Sequence, residues 1–182
     1  VARALVVGTS LGATAAMLLA LARPERVRGL VLMSATARAA SRGDRIKFGA
    51  LVAVIRALGP GPVLGPILAQ LLGASYRARE PAGVAAAAAQ LRATARSDLA
   101  RSIAAWVARP ALAGRLASIA APTRVVFGAE DTALPRACAE ALAAALPDAA
   151  LQVVAGAGHS VQLERSDAVI ELIEDFSGRL PR

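Results

Sequence analysis

The sequence predicts an α/β protein in which a parallel β-sheet is flanked by helices and carries a helical insertion. Two observations lead to this prediction. Apolar strand-like runs alternate with helical segments in the order β-α-β, insertion, β-α-β-α. The middle of the chain contains helical segments but no convincing strand. Because such alternation is typical of a parallel sheet covered on both faces, we expect a core at residues 1–36 and 121–182, interrupted by an insertion at residues 37–120.

The first strand-helix-strand unit lies within the first 36 residues. Residues 3–7 form a short, partly β-branched apolar run, typical of a buried strand. A helix is predicted over residues 13–22, and it ends before Pro24 because proline disfavours helical geometry in the preceding residue. Residues 27–33 form the second buried strand. A strand, a helix and a strand at this spacing predict two parallel strands.

The insertion is predicted to be helical throughout. The candidate helices cover residues 41–58, 63–72, 83–94 and 97–107. The stretch 50–72 is apolar enough to suggest a membrane span, but Pro60, Pro62 and Pro66 interrupt it. We therefore expect two helices joined by a turn and no stable membrane insertion, with an interfacial, membrane-facing role as the alternative.

The alternation resumes after residue 120. Strands are predicted at residues 123–127 and 151–154, with a helix at residues 135–146 between them. A final helix follows Ser166, which is a suitable N-cap residue.

Composition excludes several classes of protein. The chain has 182 residues, a hydrophobic fraction of 56% and an aromatic fraction of 3%, so one domain with an aliphatic core is expected. The net charge of +8 comes from scattered arginines without interleaved aromatic residues, which predicts no nucleic-acid partner. Cys138 is the only cysteine, so no intrachain disulfide forms. No signal peptide is visible at the start, and we expect a cytoplasmic location.

The first strand is followed by Gly8-Thr9-Ser10-Leu11-Gly12, which matches the pattern G-x-S-x-G between a strand and a helix. A sharp turn there exposes the hydroxyl of Ser10 as a nucleophile. Gly8 and Gly12 lack side chains and allow strand and helix to approach closely. The N–H of Leu11, at the start of the helix, is directed toward a developing oxyanion. The alternative is a glycine-containing turn in which Ser10 only caps the helix.

An acid and a base follow the last two predicted strands. Asp131, with Glu130 as the adjacent competitor, lies at the carboxyl end of one strand, where ligand sites of parallel sheets form. His159 follows the other strand and is the only histidine in the chain. Each residue alone is compatible with a structural loop role. Together with Ser10 they have the order Ser…Asp…His, in which Asp131 would orient His159 as the base.

These segments resemble the α/β-hydrolase superfamily over nearly the whole chain. VVGTSLG resembles its nucleophile elbow, RVRGLVLMSA the next strand, IAAPTRVVFGAEDTALP the acid loop, and GAGHSVQLERSDAVIELIEDF the histidine loop and final helix. The resemblance implies that the insertion is a cap over the active site. About four strands precede the elbow in that family and are absent from this sequence, as is the loop that supplies a second oxyanion donor.

The predicted function is hydrolysis of an ester, lactone or related acyl compound by Ser10, Asp131 and His159. Thr9, Met33, Ser34 and Leu134 are predicted to line the substrate pocket. No metal or organic cofactor is expected, because no cluster has ligand spacing. Carbon–carbon bond hydrolysis, haloperoxidation, perhydrolysis and acyl transfer by the same triad remain alternatives. A non-catalytic binding module, or an inactive or partner-dependent fragment of a hydrolase, is a further alternative. The small-molecule acyl substrate is the expected partner, together with self-association through the exposed edge of the sheet.

Overall fold

The computed structural model describes residues 3–180 and contains a four-stranded parallel sheet. The strands are β1 (Ala4–Thr9), β2 (Val27–Met33), β3 (Thr123–Gly128) and β4 (Ala149–Val154). They lie side by side in the order β1-β2-β3-β4, and every neighbouring pair is parallel. The predicted α/β class and its parallel sheet flanked by helices are confirmed.

Helices cover both faces of the sheet because β2 and β3 are apolar on both sides. One face packs against α1 (Leu11–Ala22) and α7 (Arg136–Ala145). The opposite face packs against α9 (Ser166–Arg179), which follows the short helix α8 (Val161–Glu164). Parallel strands that are buried on both faces have nearly continuous apolar sequences, which is why these strands could be predicted from the sequence.

The insertion between β2 and β3 is helical, as predicted. Its helices are α2 (Arg42–Leu58), α3 (Leu64–Leu71), α4 (Ala74–Arg79), α5 (Pro81–Ala93) and α6 (Arg96–Val107). Helices α3, α4 and α5 share a small apolar cluster of their own. The six-residue helix α4 was not predicted, since one and a half turns leave little periodicity to detect. We refer to α2–α6 as the cap.

The two ends of the insertion meet at the base of the cap. The N–H of Leu112 donates to the carbonyl of Ala37 at 2.8 Å. Leu112, Leu116 and Ile119 then pack in the core cluster beneath the sheet. The body of the cap is therefore shorter than the predicted span of residues 37–120, and its return segment belongs to the core by its contacts.

Strand β1 forms one edge of the sheet in the part of the chain that the structure describes. Val7 on this strand is 42% exposed. The apolar stretch that suggested a membrane span is divided between α2 and α3, with Pro60 in the connection. Within residues 3–180, no helix has both the length and the apolar character that crossing a membrane requires.

Candidate active site

Ser10 lies between the end of β1 and the start of α1, in a backbone conformation that few residues other than glycine adopt. Its φ is 53° and its ψ is −112°. Its N–H donates to the carbonyl of Met33 at 2.9 Å, which ties the turn to the neighbouring strand. Backbone strain of this kind concentrates at functional sites, because the surrounding structure must hold it in place. The geometry is that of a sharp strand-to-helix turn presenting a serine.

The two glycines of the turn differ in what the fold requires of them. A β-carbon at Gly8 would lie 2.5 Å from the carbonyl oxygen of Gly12, so any side chain at Gly8 would displace the start of α1. A β-carbon at Gly12 would meet open space among the described residues. The predicted reason for glycine therefore holds for Gly8, and nothing in the described structure requires glycine at Gly12.

Leu11 is the first residue of α1, and its backbone N–H lies beside Ser10. The first N–H groups of a helix have no acceptor within the helix. Together with the positive end of the helix dipole, this makes the start of α1 suitable for a developing negative charge.

Asp131 and His159 form a hydrogen-bonded pair above the carboxyl ends of β3 and β4. The distance from His159 Nδ1 to Asp131 Oδ2 is 2.8 Å, and the side chain of Asp131 is fully buried. The other carboxylate oxygen accepts from the N–H groups of Ala133 and Leu134 at 2.8 and 3.1 Å. An ionised carboxylate can only accept, so this pairing places the imidazole proton on Nδ1 and leaves Nε2 as the basic nitrogen.

Glu130, the competing acid, faces the cap instead. Its carboxylate accepts from the N–H of Ser75 at 2.8 Å and from the hydroxyl of the same residue. These hydrogen bonds hold the pKa of Glu130 below its ordinary value. The geometry thus gives the two adjacent carboxylates different partners, with Asp131 on His159 and Glu130 on α4.

The loop that carries His159 is also held from below by Ser34. This residue is fully buried, has a φ of 48°, and donates from Oγ to the carbonyl of His159 at 2.7 Å. Its predicted place in the pocket lining does not match this position. The end of β2 turns the hydroxyl inward, toward the backbone of the histidine loop, where a short polar side chain can satisfy a buried carbonyl.

A cavity of about 300 Å³ lies between the loops and the cap, and both Ser10 and His159 line it. The structure shows no hydrogen bond between the side chains of Ser10 and His159, although both line this cavity. Leu134 lines the cavity as predicted, whereas Thr9 and Met33 do not. Met33 is packed in the core on the α9 side of the sheet, and the hydroxyl of Thr9 points to Gln162.

The cap supplies most of the cavity wall from helical faces. The cavity-lining residues of α2 are Phe48, Leu51 and Ile55, those of α3 include Ile67 and Leu71, and those of α6 include Leu99, Ile103 and Trp106. Spacings of three, four and seven residues place side chains on one face of a helix, so each helix turns an apolar stripe to the cavity. Apart from His159, no ionisable side chain of the described residues lines it.

Arg109 supports this wall from behind. Its guanidinium carbon lies 3.7 Å from the centroid of the Trp106 ring, and its Nη1 donates to the Trp106 carbonyl at 2.7 Å. The side chain also donates to the carbonyl of Arg38. Burial lowers the pKa of Arg109, and the carboxylate of Asp44 partly opposes that shift. The guanidinium remains charged, because an arginine titrates far above neutral pH. It fixes Trp106 through stacking and hydrogen bonding.

Within the described residues, no group of three or more His, Cys, Asp or Glu side chains is placed to hold a metal ion. The site contains a serine with a strained backbone, a histidine with an oriented ring and a helix N-terminus. Groups of these kinds are able to attack an electrophilic carbon.

Comparisons with known proteins agree with this fold. Residues 1–166 match the family model described as alpha/beta hydrolase fold, and the chain belongs to that family. A 2-hydroxymuconate semialdehyde hydrolase from Pseudomonas putida is 30% identical over 180 residues, a match that covers 94% of this chain and 61% of that protein.

Solved structures give the same result. An esterase from Thermogutta terrifontis superimposes with a TM-score of 0.91 at 22% identity, covering 98% of this chain and 65% of that one. An enol-lactonase from Burkholderia xenovorans LB400 superimposes with a TM-score of 0.88 at 26% identity, covering 98% of this chain and 66% of that one. The chain thus spans somewhat less than two thirds of the length of these proteins.

Proposed function

We propose that the protein is a serine hydrolase that cleaves an ester, lactone or related acyl substrate through an acyl-enzyme. The observation that carries the proposal is the convergence of three elements on one cavity. These are the strained Ser10, the His159 ring oriented by Asp131, and the N-terminus of α1. The named activities of the relatives, a semialdehyde hydrolase, an esterase and an enol-lactonase, support hydrolysis as the class of reaction.

In the proposed reaction, Nε2 of His159 takes the proton of the Ser10 hydroxyl while Oγ attacks the acyl carbon. The tetrahedral oxyanion accepts a hydrogen bond from the N–H of Leu11. The intermediate collapses and releases the alcohol, which receives the proton from His159. Water, deprotonated by the same imidazole, then attacks the acyl-enzyme and frees Ser10. Asp131 stabilises the imidazolium in both steps.

The cavity favours an uncharged, apolar acyl group. Its described lining is aliphatic and aromatic except for Ser10, Gln70, Ser102 and His159, and contains no arginine or lysine. A carboxylate placed there would lose its hydration without gaining a cation. Medium-length aliphatic or aryl acyl groups fit both this chemistry and a volume of about 300 Å³.

The test is covalent labelling of the serine. A fluorophosphonate probe is expected to label the protein at Ser10, and Ser10→Ala is expected to abolish both labelling and ester turnover. Ser102→Ala is the matched control, because Ser102 lines the same cavity from α6 and has no role in the proposed chemistry. Labelling that survives Ser10→Ala contradicts the proposal.

Hydrolysis of a semialdehyde is the second candidate. The 30% identity to the Pseudomonas putida enzyme favours it, whereas the carboxylate of 2-hydroxymuconate semialdehyde disfavours it in a cavity whose described lining has no arginine or lysine. The same serine, acid and base would serve. Comparing kcat/KM for 2-hydroxymuconate semialdehyde with that for p-nitrophenyl butyrate separates the two candidates.

We further propose that the 182-residue chain self-associates through the edge of β1. This edge presents unpaired backbone groups among the described residues, and Val7 on it is 42% exposed. Light scattering is expected to give at least twice the mass of one chain, and Val7→Arg is expected to reduce it. Ile170→Arg, on the exposed face of α9, is the control. A monomeric wild-type chain contradicts the proposal.

A further inference from the structure

Glu164 is a buried carboxylate that the proposed reaction does not use. It is 4% exposed and ends α8, five residues after His159. Its Oε2 accepts from the N–H groups of Gly73 and Gly158, each at 2.8 Å, and its Oε1 accepts from the N–H of Ser160 at 3.1 Å. A buried carboxylate is tolerated only when hydrogen bonds or a counter-charge compensate its lost hydration. Here three backbone N–H groups provide that compensation.

Two of these donors flank His159 directly. Gly158 precedes it and Ser160 follows it, so the carboxylate holds the backbone on both sides of the proposed base. The carbonyl of His159 itself is held by the hydroxyl of Ser34. Asp131 fixes the ring only at Nδ1. The position of Nε2 in the cavity that His159 shares with Ser10 therefore depends on where the backbone of the histidine loop lies.

The third donor comes from the cap. Gly73 stands between α3 and α4, and its N–H shares Oε2 with the N–H of Gly158. The two backbones are in close contact, since a β-carbon at Gly158 would lie 2.4 Å from the amide nitrogen of Gly73. The carbonyl of Leu71, a residue that lines the cavity, also accepts from the N–H of Ser160. One carboxylate thus joins the histidine loop to the part of the cap that faces the substrate.

We propose that Glu164 is a positioning residue that couples the position of the cap to the position of His159 in the cavity it shares with Ser10. With the cap segment in place, the carboxylate binds all three donors and holds the histidine loop in one position. When the cap segment moves away, Oε2 loses one donor and the loop loses a restraint. This inference rests on the proposed role of His159 as general base.

The test compares Glu164→Gln with Glu171→Gln, which makes the same chemical change on the exposed face of α9. In Glu164→Gln, one amide oxygen can serve two of the donors, and the NH₂ group then faces the third N–H. That third N–H, from Ser160, keeps the carbonyl of Leu71 as an acceptor but now faces a second donor. The amide also replaces the charge-assisted hydrogen bonds of the carboxylate with weaker, neutral ones. We expect kcat for p-nitrophenyl butyrate to fall about tenfold or more with KM within about twofold, since the substrate wall is unchanged.

The second readout is the imidazole of His159, which is the only histidine in the 182 residues. A chain labelled with ¹⁵N-histidine and purified without a histidine tag gives one set of ring signals. We expect the Nδ1–H signal of His159 to shift or broaden in Glu164→Gln and to stay unchanged in Glu171→Gln. A loss of thermal stability alone would not produce this pattern in the folded protein.

The proposal is overturned if Glu164→Gln folds and leaves both kcat and the His159 signal unchanged, even when its Tm is lower. Should this variant fail to fold, Glu164→Asp replaces it in both measurements, because it keeps the charge but is too short to reach all three donors. The ring signal is recorded without substrate. A wild-type protein without turnover therefore contradicts the proposed function, while the His159 signal still decides the role of Glu164.

Discussion

In the loops that follow β1, β3 and β4, the side chains of the candidate site are held by hydrogen bonds and backbone geometry, whereas the cap lines the cavity through apolar side chains. Asp131 accepts three hydrogen bonds, and Ser10 is fixed by its backbone conformation and by Met33. The cap residues that face the cavity, such as Ile103, contribute aliphatic surface. The two regions meet at Glu130 and Glu164, which bind the backbone of the cap.

This difference predicts that substitutions in the two regions have different effects on catalysis. A hydrogen-bonded group works only at one distance and one angle, so its replacement is expected to affect the rate strongly. An apolar wall acts through area and volume, which several residues can supply. We therefore expect substitutions in the loops to change kcat for all substrates, and substitutions in the cap to change the preference among substrates.

The largest expected effect lies in the acid loop. Asp131→Asn leaves the shape of the loop intact but presents an amide to His159 and favours the wrong tautomer, which is expected to lower kcat about ten-thousand-fold. Glu130→Gln, one residue away, is expected to change kcat less than about threefold, because the partner of Glu130 is Ser75 and not His159. Steady-state kinetics with a p-nitrophenyl ester measures both.

The reverse order of these two effects would mean that the acid is Glu130. Equal and large effects would mean that docking of α4 is as important for the reaction as the orientation of His159. In that case the contrast between loops and cap would no longer hold.

A smaller effect is expected in the cap. Ile103→Ala removes aliphatic surface from the cavity. If the acyl chain loses contact equivalent to about two methylenes, at about 0.8 kcal/mol each, KM for an octanoate ester is expected to rise about fifteenfold. The acetate ester, whose acyl chain is about six carbons shorter, is expected to keep its kcat and KM. Ile46→Ala on α2 is the control, since Ile46 is 67% exposed and outside the cavity.

An equal loss of kcat for acetate and octanoate esters in Ile103→Ala would contradict the division. Such a result would mean that the cap affects the position of the reacting groups and does not act through contact with the acyl chain.

The smallest expected effect concerns the Glu130–Ser75 contact between acid loop and cap. Folding lowers the pKa of Glu130 below its ordinary value of 4.5. The contact therefore stabilises the fold at a pH above 4.5, and this stabilisation is lost as the pH falls through the lower pKa of the folded state. The Glu130–Ser75 contact is exposed to solvent, so its contribution to the free energy of unfolding is expected to stay below about 1 kcal/mol. The measurement is the difference in the free energy of unfolding in urea between the wild type and Ser75→Ala, at pH 7 and below pH 4.

Other carboxylates titrate over the same range, but they do so in both proteins and cancel in that difference. Glu130→Gln provides the control, because it removes the titrating group. A difference between wild type and Ser75→Ala that stays constant with pH would show that the contact does not depend on the charge of Glu130.

The core of the fold could be read from the sequence because its signals are local. Each strand of the sheet is an apolar run, and the sharp turn at Ser10 has its own five-residue pattern. Asp131 and His159 were found because both follow strands, and the carboxyl ends of parallel strands lie at one edge of a sheet.

The contacts that hold these residues could not be read in the same way. Glu164 binds Gly73, which lies 91 residues earlier in the chain, and no local pattern records that pairing. Ser34 was placed in the pocket because it follows β2, but its positive φ turns the hydroxyl beneath His159. Leu112 and Leu116 lie within the predicted insertion of residues 37–120. Nothing in their local sequence indicates that the chain has already returned to the core, where both side chains pack.

The hydrogen bond between Leu112 and Ala37 has a consequence for how this molecule can be altered. Because the chain leaves and re-enters the core at neighbouring points, we expect that most of the segment between them can be exchanged without changing the spacing of β2 and β3. A chimera that replaces α2, α5 and α6 by helices of another length is expected to keep the sheet. The segment around Gly73 and Ser75 must be retained, since there the exchanged part touches both carboxylates of the loops. If the cap sets the acyl preference as proposed, such a chimera is expected to change that preference while the core stays the same.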